Sequence, residues 1–226
     1  VATLNTLNGN TTGVVNAATV TTLTGAAATM NTVYTANTDG EISGLANEAI
    51  TLDDTTLAAT VLNTLDGNTT GVVNAATVTV LTGAAGDVIT SYTADGNGTI
   101  SGLGNEKLTL SGNTSVANAN TLAGETSGVI TATITEGDVT TLKTLNETTN
   151  AYTITITDAT VAVADLNLIN AATTVAVTAT AINTLTGAAA AMNTAYTAGG
   201  NGEITGLANE AITLDDTSLA IATLNT

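Results

Sequence analysis

Residues 4–27 read LNTLNGNTTGVVNAATVTTLTGAA, and residues 62–85 read LNTLDGNTTGVVNAATVTVLTGAA. A shift of 58 positions carries Val14 onto Val72, Tyr34 onto Tyr92, Ile42 onto Ile100 and Leu52 onto Leu110. A third copy starts at Leu166. It is diverged at first (LNLINAATTVAVTATAIN) and close again in LTGAAAAMNTAYTAGGNGEITGLANEAITLDD. Self-similarity at a fixed period is the mark of an architecture whose units bury their apolar faces against each other.

A shorter period runs inside the long one. Leu4, Leu23, Ile42 and Leu62 follow one another at intervals of 19, 19 and 20, and the spacing returns in Leu62, Leu81, Ile100 and in Leu166, Leu185, Ile204, Leu224. The next position is polar each time: Asn5, Thr24, Ser43, Asn63, Thr82, Ser101, Asn167, Thr186, Thr205, Asn225. Threonine is about a quarter of the chain, and β-branched residues disfavour helices and favour strands. TATIT at 131–135 and YTITITDATVAVAD at 152–165 alternate with the period of a strand. The pattern predicts an all-β fold, a β-solenoid in the form of a right-handed parallel β-helix. Its coils would recur every 19 or 20 positions, three to each long repeat, with aliphatic ladders inside and Asn and Thr ladders at the turns. One array is expected over residues 1–226: two regular repeats over 1–118, degenerate coils over 119–165 and a third regular repeat over 166–226. VATLNT at 1–6 and IATLNT at 221–226 share one phase, which predicts end-to-end stacking or continuation into neighbouring repeats.

Composition narrows the function. Among 226 residues there is no proline, cysteine, histidine, tryptophan or phenylalanine, and the only bases are Lys107 and Lys143 against nineteen acids, a formal charge of −17. Serine–histidine and cysteine–histidine nucleophiles are excluded, as are zinc sites built on His or Cys. A nucleic-acid partner would need a basic footprint that is missing. No apolar run reaches the ~18 residues of a membrane-spanning helix. With hydrophobic residues at 43% and charged residues at 9%, the chain can still build an aliphatic core.

TLDGNTTGVVNAATVTVLTGAA at 64–85 and ISGLANEAITLDDTTLAA at 42–59 resemble the repeats of very large cell-surface proteins of marine cyanobacteria, some of them implicated in swimming motility. The likeness covers the chain outside about 119–165. It implies a secreted or surface-attached structural protein and carries over no catalytic residue. The absence of cysteine fits secretion without oxidative folding.

Several residues invite chemistry. The turns at 37–41 (NTDGE), 94–99 (ADGNGT) and 199–203 (GGNGE) are rich in oxygen ligands, so Asp39, Glu41, Asp95, Asn97 and Glu203 are candidate calcium ligands. Otherwise they, with the column Glu48, Glu106, Glu210 and the pairs Asp53–Asp54 and Asp215–Asp216, form a solvated acidic edge. Glycosidases need two carboxylates flanking a cleft, but a pair that recurs along an array reads as structure, so no enzyme is expected. Tyr34, Tyr92 and Tyr196 share a column and read as packed rings with hydroxyls at the surface. Thr131–Thr135, Thr153–Thr157 and Thr178–Thr180 suggest an ice-binding face, though the regular copies lack a common Thr-x-Thr pair. Asn10, Asn68, Asn113 and Asn146 open glycosylation sequons. The expected function is an extracellular, cell-surface structural or filament-forming protein that associates with itself. A calcium-assisted adhesin for carbohydrate is the alternative, and ice binding a lesser one.

Overall fold

The structure, a computed structural model, describes residues 1–219. The expected Leu224 and Asn225 column positions, and the IATLNT stretch, lie outside the described residues. Two compact units form, Val1–Ser111 with Gly124–Gly128, and Gly112–Ala123 with Val129 onward.

In the first unit the elements follow as α1 (Ala2–Gly9), β1 (Val15–Asn16), β2 (Thr22–Gly25), α2 (Ala27–Thr38), β3 (Ile42–Ser43), β4 (Ala49–Leu52), β5 (Thr56–Ala58), α3 (Ala59–Asn68), β6 (Val73–Asn74), β7 (Val80–Gly83), α4 (Ala85–Asn97) and β8 (Ile100–Ser101). β9 (Lys107–Thr114) begins in this unit. The second unit carries most of α5 (Val116–Glu125), then β10 (Ile130–Ile134), α6 (Val139–Leu142), β11 (Ala151–Thr153), β12 (Thr160–Ala162), α7 (Val163–Ala171), β13 (Val177–Thr178), β14 (Thr184–Gly187), α8 (Ala189–Gly200), β15 (Ile204–Thr205) and β16 (Ala211–Leu214).

The all-β expectation is therefore overturned. Eight helices alternate with short parallel strands among the described residues, so the fold is mixed α/β and the terms β-solenoid and right-handed parallel β-helix do not describe it. The short coils, three to a long repeat, do not form either. In the regular repeats strands pair at other offsets, 27 and 23 or 24, while β10 and β11 of the irregular stretch pair at 20. Within a long repeat Val15 pairs with Ile42 and Leu23 with Ile50; from one repeat to the next Ile50 pairs with Val73 and Leu57 with Leu81. The leucine column of the sequence mixes three environments. Leu62 and Leu166 lie on helices, Leu23, Leu81 and Leu185 on one strand type, and Ile42, Ile100 and Ile204 on another. All eight are buried, which is why they recur.

Helices form here despite the threonine. In α2 the buried residues Ala27, Met30, Val33 and Tyr34 fall on one face at helical spacing. The threonines between them turn outward, and their hydroxyls donate to the carbonyl four residues back: Thr32 to Ala28 at 3.2 Å, Thr35 to Asn31 at 2.9 Å and Thr38 to Tyr34 at 3.0 Å. Such local bonds satisfy the polar group without leaving the helix. Thr64, Thr93, Thr121, Thr194 and Thr197 do the same.

Neighbouring helices are stapled by asparagine. Within the first unit, Asn5 Nδ2 donates to the Thr29 carbonyl at 3.4 Å, Asn31 to Val61 at 3.1 Å and Asn63 to Asp87 at 2.9 Å. In the second, Asn167 does so to Ala191 at 3.0 Å, and Asn120 reaches Thr144, just past α6, at 2.8 Å. In place of the polar ladders expected at turns, asparagine side chains bond backbone carbonyls of a neighbouring helix or of the residues just past it.

The recurrent aspartate pair has a specific use. The N-cap of α2 is Ala26, which offers no side-chain acceptor, and the missing cap comes from the following turn: the Ala27 amide donates to Asp54 Oδ2 at 2.8 Å. Ala189 of α8 donates to Asp216 at 2.7 Å, Val116 of α5 to Glu136 at 3.0 Å and Val139 of α6 to Asp158 at 2.7 Å. A carboxylate there satisfies an orphan amide and faces the positive end of the helix dipole. In the second repeat Gly112 replaces the capping aspartate, and α4 instead carries Asp87 in its own first turn. Asp54→Ala should cost about 0.5–2 kcal/mol, seen as a lower urea midpoint at unchanged slope. A midpoint equal to that of the parent chain would show that the cap contributes nothing.

Candidate functional site

The most heavily engaged polar residues are a tyrosine and a glutamate 14 positions apart, recurring once per long repeat. Tyr34 lies on α2 and Tyr92 on α4, while Glu48 and Glu106 sit in the loops GLANE and GLGNE that precede β4 and β9. The hydroxyl of Tyr34 donates to Glu48 Oε2 at 2.8 Å, Tyr92 to Glu106 Oε2 at 2.8 Å and Tyr196 to Glu210 Oε2 at 2.9 Å. Each glutamate also folds back on its own loop. Ala46 N–H donates to Glu48 Oε1 at 3.1 Å, Gly104 N–H to Glu106 Oε2 at 2.9 Å, and Ala208 N–H to Glu210 Oε1 at 3.0 Å. The pair therefore ties the face of a helix to the loop leading into the next long strand.

Two readings of the sequence change at this point. Glu48 and Glu106 are 0% exposed, so they belong to no solvated edge, and Tyr34 and Tyr92 are buried with their hydroxyls turned inward. Columns taken one at a time hide the pairing; the constant separation of 14 is the signal available in the sequence. The second repeat is less well satisfied. Because Gly104 donates to the same oxygen as Tyr92, Glu106 Oε1 is buried without a hydrogen-bond partner among the described residues.

Burial, then the hydrogen bond to Glu48 or Glu106, pushes the Tyr34 and Tyr92 hydroxyls well above the ordinary tyrosine range. Tyr196 is pushed up to about 12 by burial and by Glu210, and Tyr152 to about 12 by burial. Tyr152 is fully buried, with Asn150 Nδ2 donating to its hydroxyl at 3.0 Å. At Glu210 burial would raise the carboxyl, but the Ala208 and Glu210 amides, the Tyr196 hydroxyl and the Asn209 amide outweigh it and hold the group below its usual range.

The calcium candidates lie apart from these pairs. Asp39 follows α2, and its amide donates to the Thr35 carbonyl at 2.9 Å. Glu41 accepts from Asn8 Nδ2 at 2.8 Å, and Glu203 from Asn170 Nδ2 at 3.3 Å. Asp95 accepts from the Leu103 amide at 3.2 Å, and Asn97 is the last residue of α4. Asn8, Asp39 and Glu41 line one open cleft; Asn170 and Glu203 line its counterpart in the other unit. Among the described residues no three acidic side chains converge closely enough to hold a metal ion. Lys143 Nζ lies 3.0 Å from Asp165 Oδ2.

Thr131 and Thr133 of β10 are exposed, as are Thr153 of β11 and Thr155, with Thr133 paired to Thr153 and Thr155 bridged to Thr178. Thr131, Thr133, Thr153 and Thr155 lie in the irregular stretch and Thr178 in the third repeat. Among the described residues, no helix is long and apolar enough to cross a membrane.

The geometry defines an α/β repeat protein whose recurring polar groups join one turn to the next. No family model matches the chain, and no curated protein or solved structure matches it either.

Tyr92→Phe takes a donor from the fully buried Glu106 carboxyl and should cost about 1–3 kcal/mol in chemical denaturation. Tyr196→Phe, at a half-buried site, should cost less; equal losses would show that burial does not set the strength of the pair. Alkaline titration gives a second check. A tyrosine whose folded pKa lies above the unfolded value of about 10 adds stability that is full below that value and is lost as pH rises through the folded one. Tyrosinate absorbance should stay low through the ordinary range and rise together with loss of helical circular dichroism. Four tyrosines ionising near pH 10 in a folded chain would contradict the buried pairs.

Proposed function

We propose that the chain is an extracellular structural repeat protein, a scaffold of the cell surface that builds by adding like turns to like turns. The observation that carries this reading is where the polar groups go. Asparagines staple helix to helix, carboxylates cap helices one turn back, and Tyr–Glu pairs close each loop onto its helix. An interior built this way transmits load through many short hydrogen-bonded links. It needs no disulfide, in keeping with a chain that has no cysteine. The resemblance of the GNTTGVVNAATV and GLANEAITLDD repeats to giant surface proteins of marine cyanobacteria supports the same role, and the net charge of −17 suits a surface that must not collapse on itself.

The test is on intact cells of the source. Antibody raised against the chain should label the outer surface, and brief external protease should remove the label while cytoplasmic markers persist. Labelling seen only after permeabilisation would rule the reading out.

A further inference from the structure

The strands carry almost none of the chain's charge. Among the described residues none of the nineteen acids lies on a strand, and Lys107 of β9 is the one charged residue on any of the sixteen. In the second unit the outward positions form a grid of threonine. β10 buries Ile130, Ala132 and Ile134 and turns Thr131 and Thr133 out, with Thr135 exposed just beyond it. β11 and the residues after it bury Tyr152, Ile154 and Ile156 and leave Thr153, Thr155 and Thr157 exposed. Backbone pairing sets the two rows side by side. Thr133 lies opposite Thr153, and beyond the strands the Thr157 amide donates to the Gly137 carbonyl at 2.9 Å. On the far side Thr155 bridges Thr178, with the Ile156 amide donating to the Thr178 carbonyl at 2.8 Å. A side chain on Gly137 would meet Thr157 Cγ2 at 2.6 Å and Oγ1 at 2.7 Å, so glycine there leaves the Thr157 side chain its place.

This face is neutral, stiff and open to hydrogen bonding. Threonine is β-branched and restricted at χ1, so each methyl and hydroxyl keeps its direction. Helix threonines such as Thr121 and Thr194 bond carbonyls of their own helix. The hydroxyls of Thr131, Thr133, Thr153 and Thr155 have no protein partner among the described residues. The acids that border the face are engaged at helix ends: Glu136 accepts from the Val116 amide, Asp138 from Thr141 and Asp158 from Val139. Tyr152, the one aromatic residue on β10 and β11, is 0% exposed. An anion would need a cation on the face, and a sugar ring an aromatic platform, and neither is there.

We propose that this threonine face binds ice. Its complement is an uncharged solid lattice in which every oxygen both donates and accepts, as a threonine hydroxyl does. Paired strands stand about 4.8 Å apart, and side chains of one face recur every ~6.6 Å along each strand. Rows so spaced are on the scale of the oxygen repeats in ice. Water held between the hydroxyls and methyls joins the lattice at small entropic cost, because the side chains beneath it are already fixed. An ion would have to give up its hydration to enter that contact, which is the physical reason for a face without charge. Ice binding goes beyond a scaffold role at the cell surface and does not depend on it.

The full chain, in dilute solution frozen slowly with stirring, should partition into the ice while a non-binding protein of similar size stays in the liquid. Thr133→Lys and Thr153→Lys each place a charge on the face. Either should lower the fraction taken into ice by about tenfold or more, with helical circular dichroism kept and the urea midpoint nearly unchanged. Thr121→Lys, which puts the same charge on an exposed position of α5, should partition like the parent chain. A parent chain left in the liquid would overturn the proposal without recourse to any variant. Folded Lys variants that enter ice as the parent does would overturn it as well. Retention of the parent on insoluble cellulose or chitin, lost in the same two variants and without partition into ice, would assign the face to a polysaccharide instead.

Discussion

Backbone pairing between turns, at 27 and at 23 or 24 in alternation through the regular repeats, is the constraint from which the remaining features follow. Leu23 opposite Ile50, then Ile50 opposite Val73, then Val73 opposite Ile100 makes each strand both the floor of one turn and the template of the next. Parallel strands cannot be joined by a tight hairpin, so every offset must hold a crossover, and a helix of ten to thirteen residues supplies it in the regular turns of the first unit. The lack of proline follows. A strand paired on both sides has no amide to spare, and a helix of three turns has no room for a kink. Close approach of one turn to the next also favours glycine and alanine over larger residues, as at Gly44, where a side chain would strike Ala18 of the preceding turn at 2.7 Å.

Nineteen acids in such a chain look at first like a solubility device, but many are structural. Asp54, Glu136, Asp158 and Asp216 cap helices they do not belong to, and Glu48, Glu106 and Glu210 brace the loops that carry the chain from helix to strand. Alanine at an N-cap position is ordinarily a poor choice. Here it leaves space for a carboxylate from the following turn, so a helix is completed only when its neighbour is in place. Stability is thereby tied to stacking, since a turn taken alone would lose its caps along with its apolar contacts.

The long repeat, its three copies and the aliphatic nature of the core are legible in the residues, as is the recurrence of Glu48, Glu106 and Glu210. Element type is not. Threonine and valine weigh toward strands on propensity, and that preference is overruled because outward threonines in a helix bond the carbonyl four residues back while Ala27, Met30, Val33 and Tyr34 pack inward. The leucine column misleads for a related reason. Leu4, Leu23 and Ile42 share chemistry and spacing without sharing an environment, since a core selects for size and apolarity whatever the backbone does. The pairing of Tyr34 with Glu48 stays hidden while each residue is weighed against solvent instead of against the other.

The repeats also show how such an array drifts. Asn8 donates to Glu41 across 33 residues; at the same two places in the next repeat Thr99 donates to Asp66, and in the last Asn170 donates to Glu203. The acid has crossed from one partner to the other while the link survived, with its single carboxylate, single donor and fixed separation. The exchange at Gly112 and Asp87 has the same logic, with the negative charge moving from a remote cap into the first turn of the helix it serves. At Glu106 the Gly104 amide and the Tyr92 hydroxyl meet on one oxygen, and the other is buried without a donor among the described residues. What persists between copies is the pair and its separation, more than the residue at either end. Separations of 14, 27 and 33, for the Tyr–Glu brace, the remote cap and the cleft link, are therefore a more faithful signature of this fold than the leucine column.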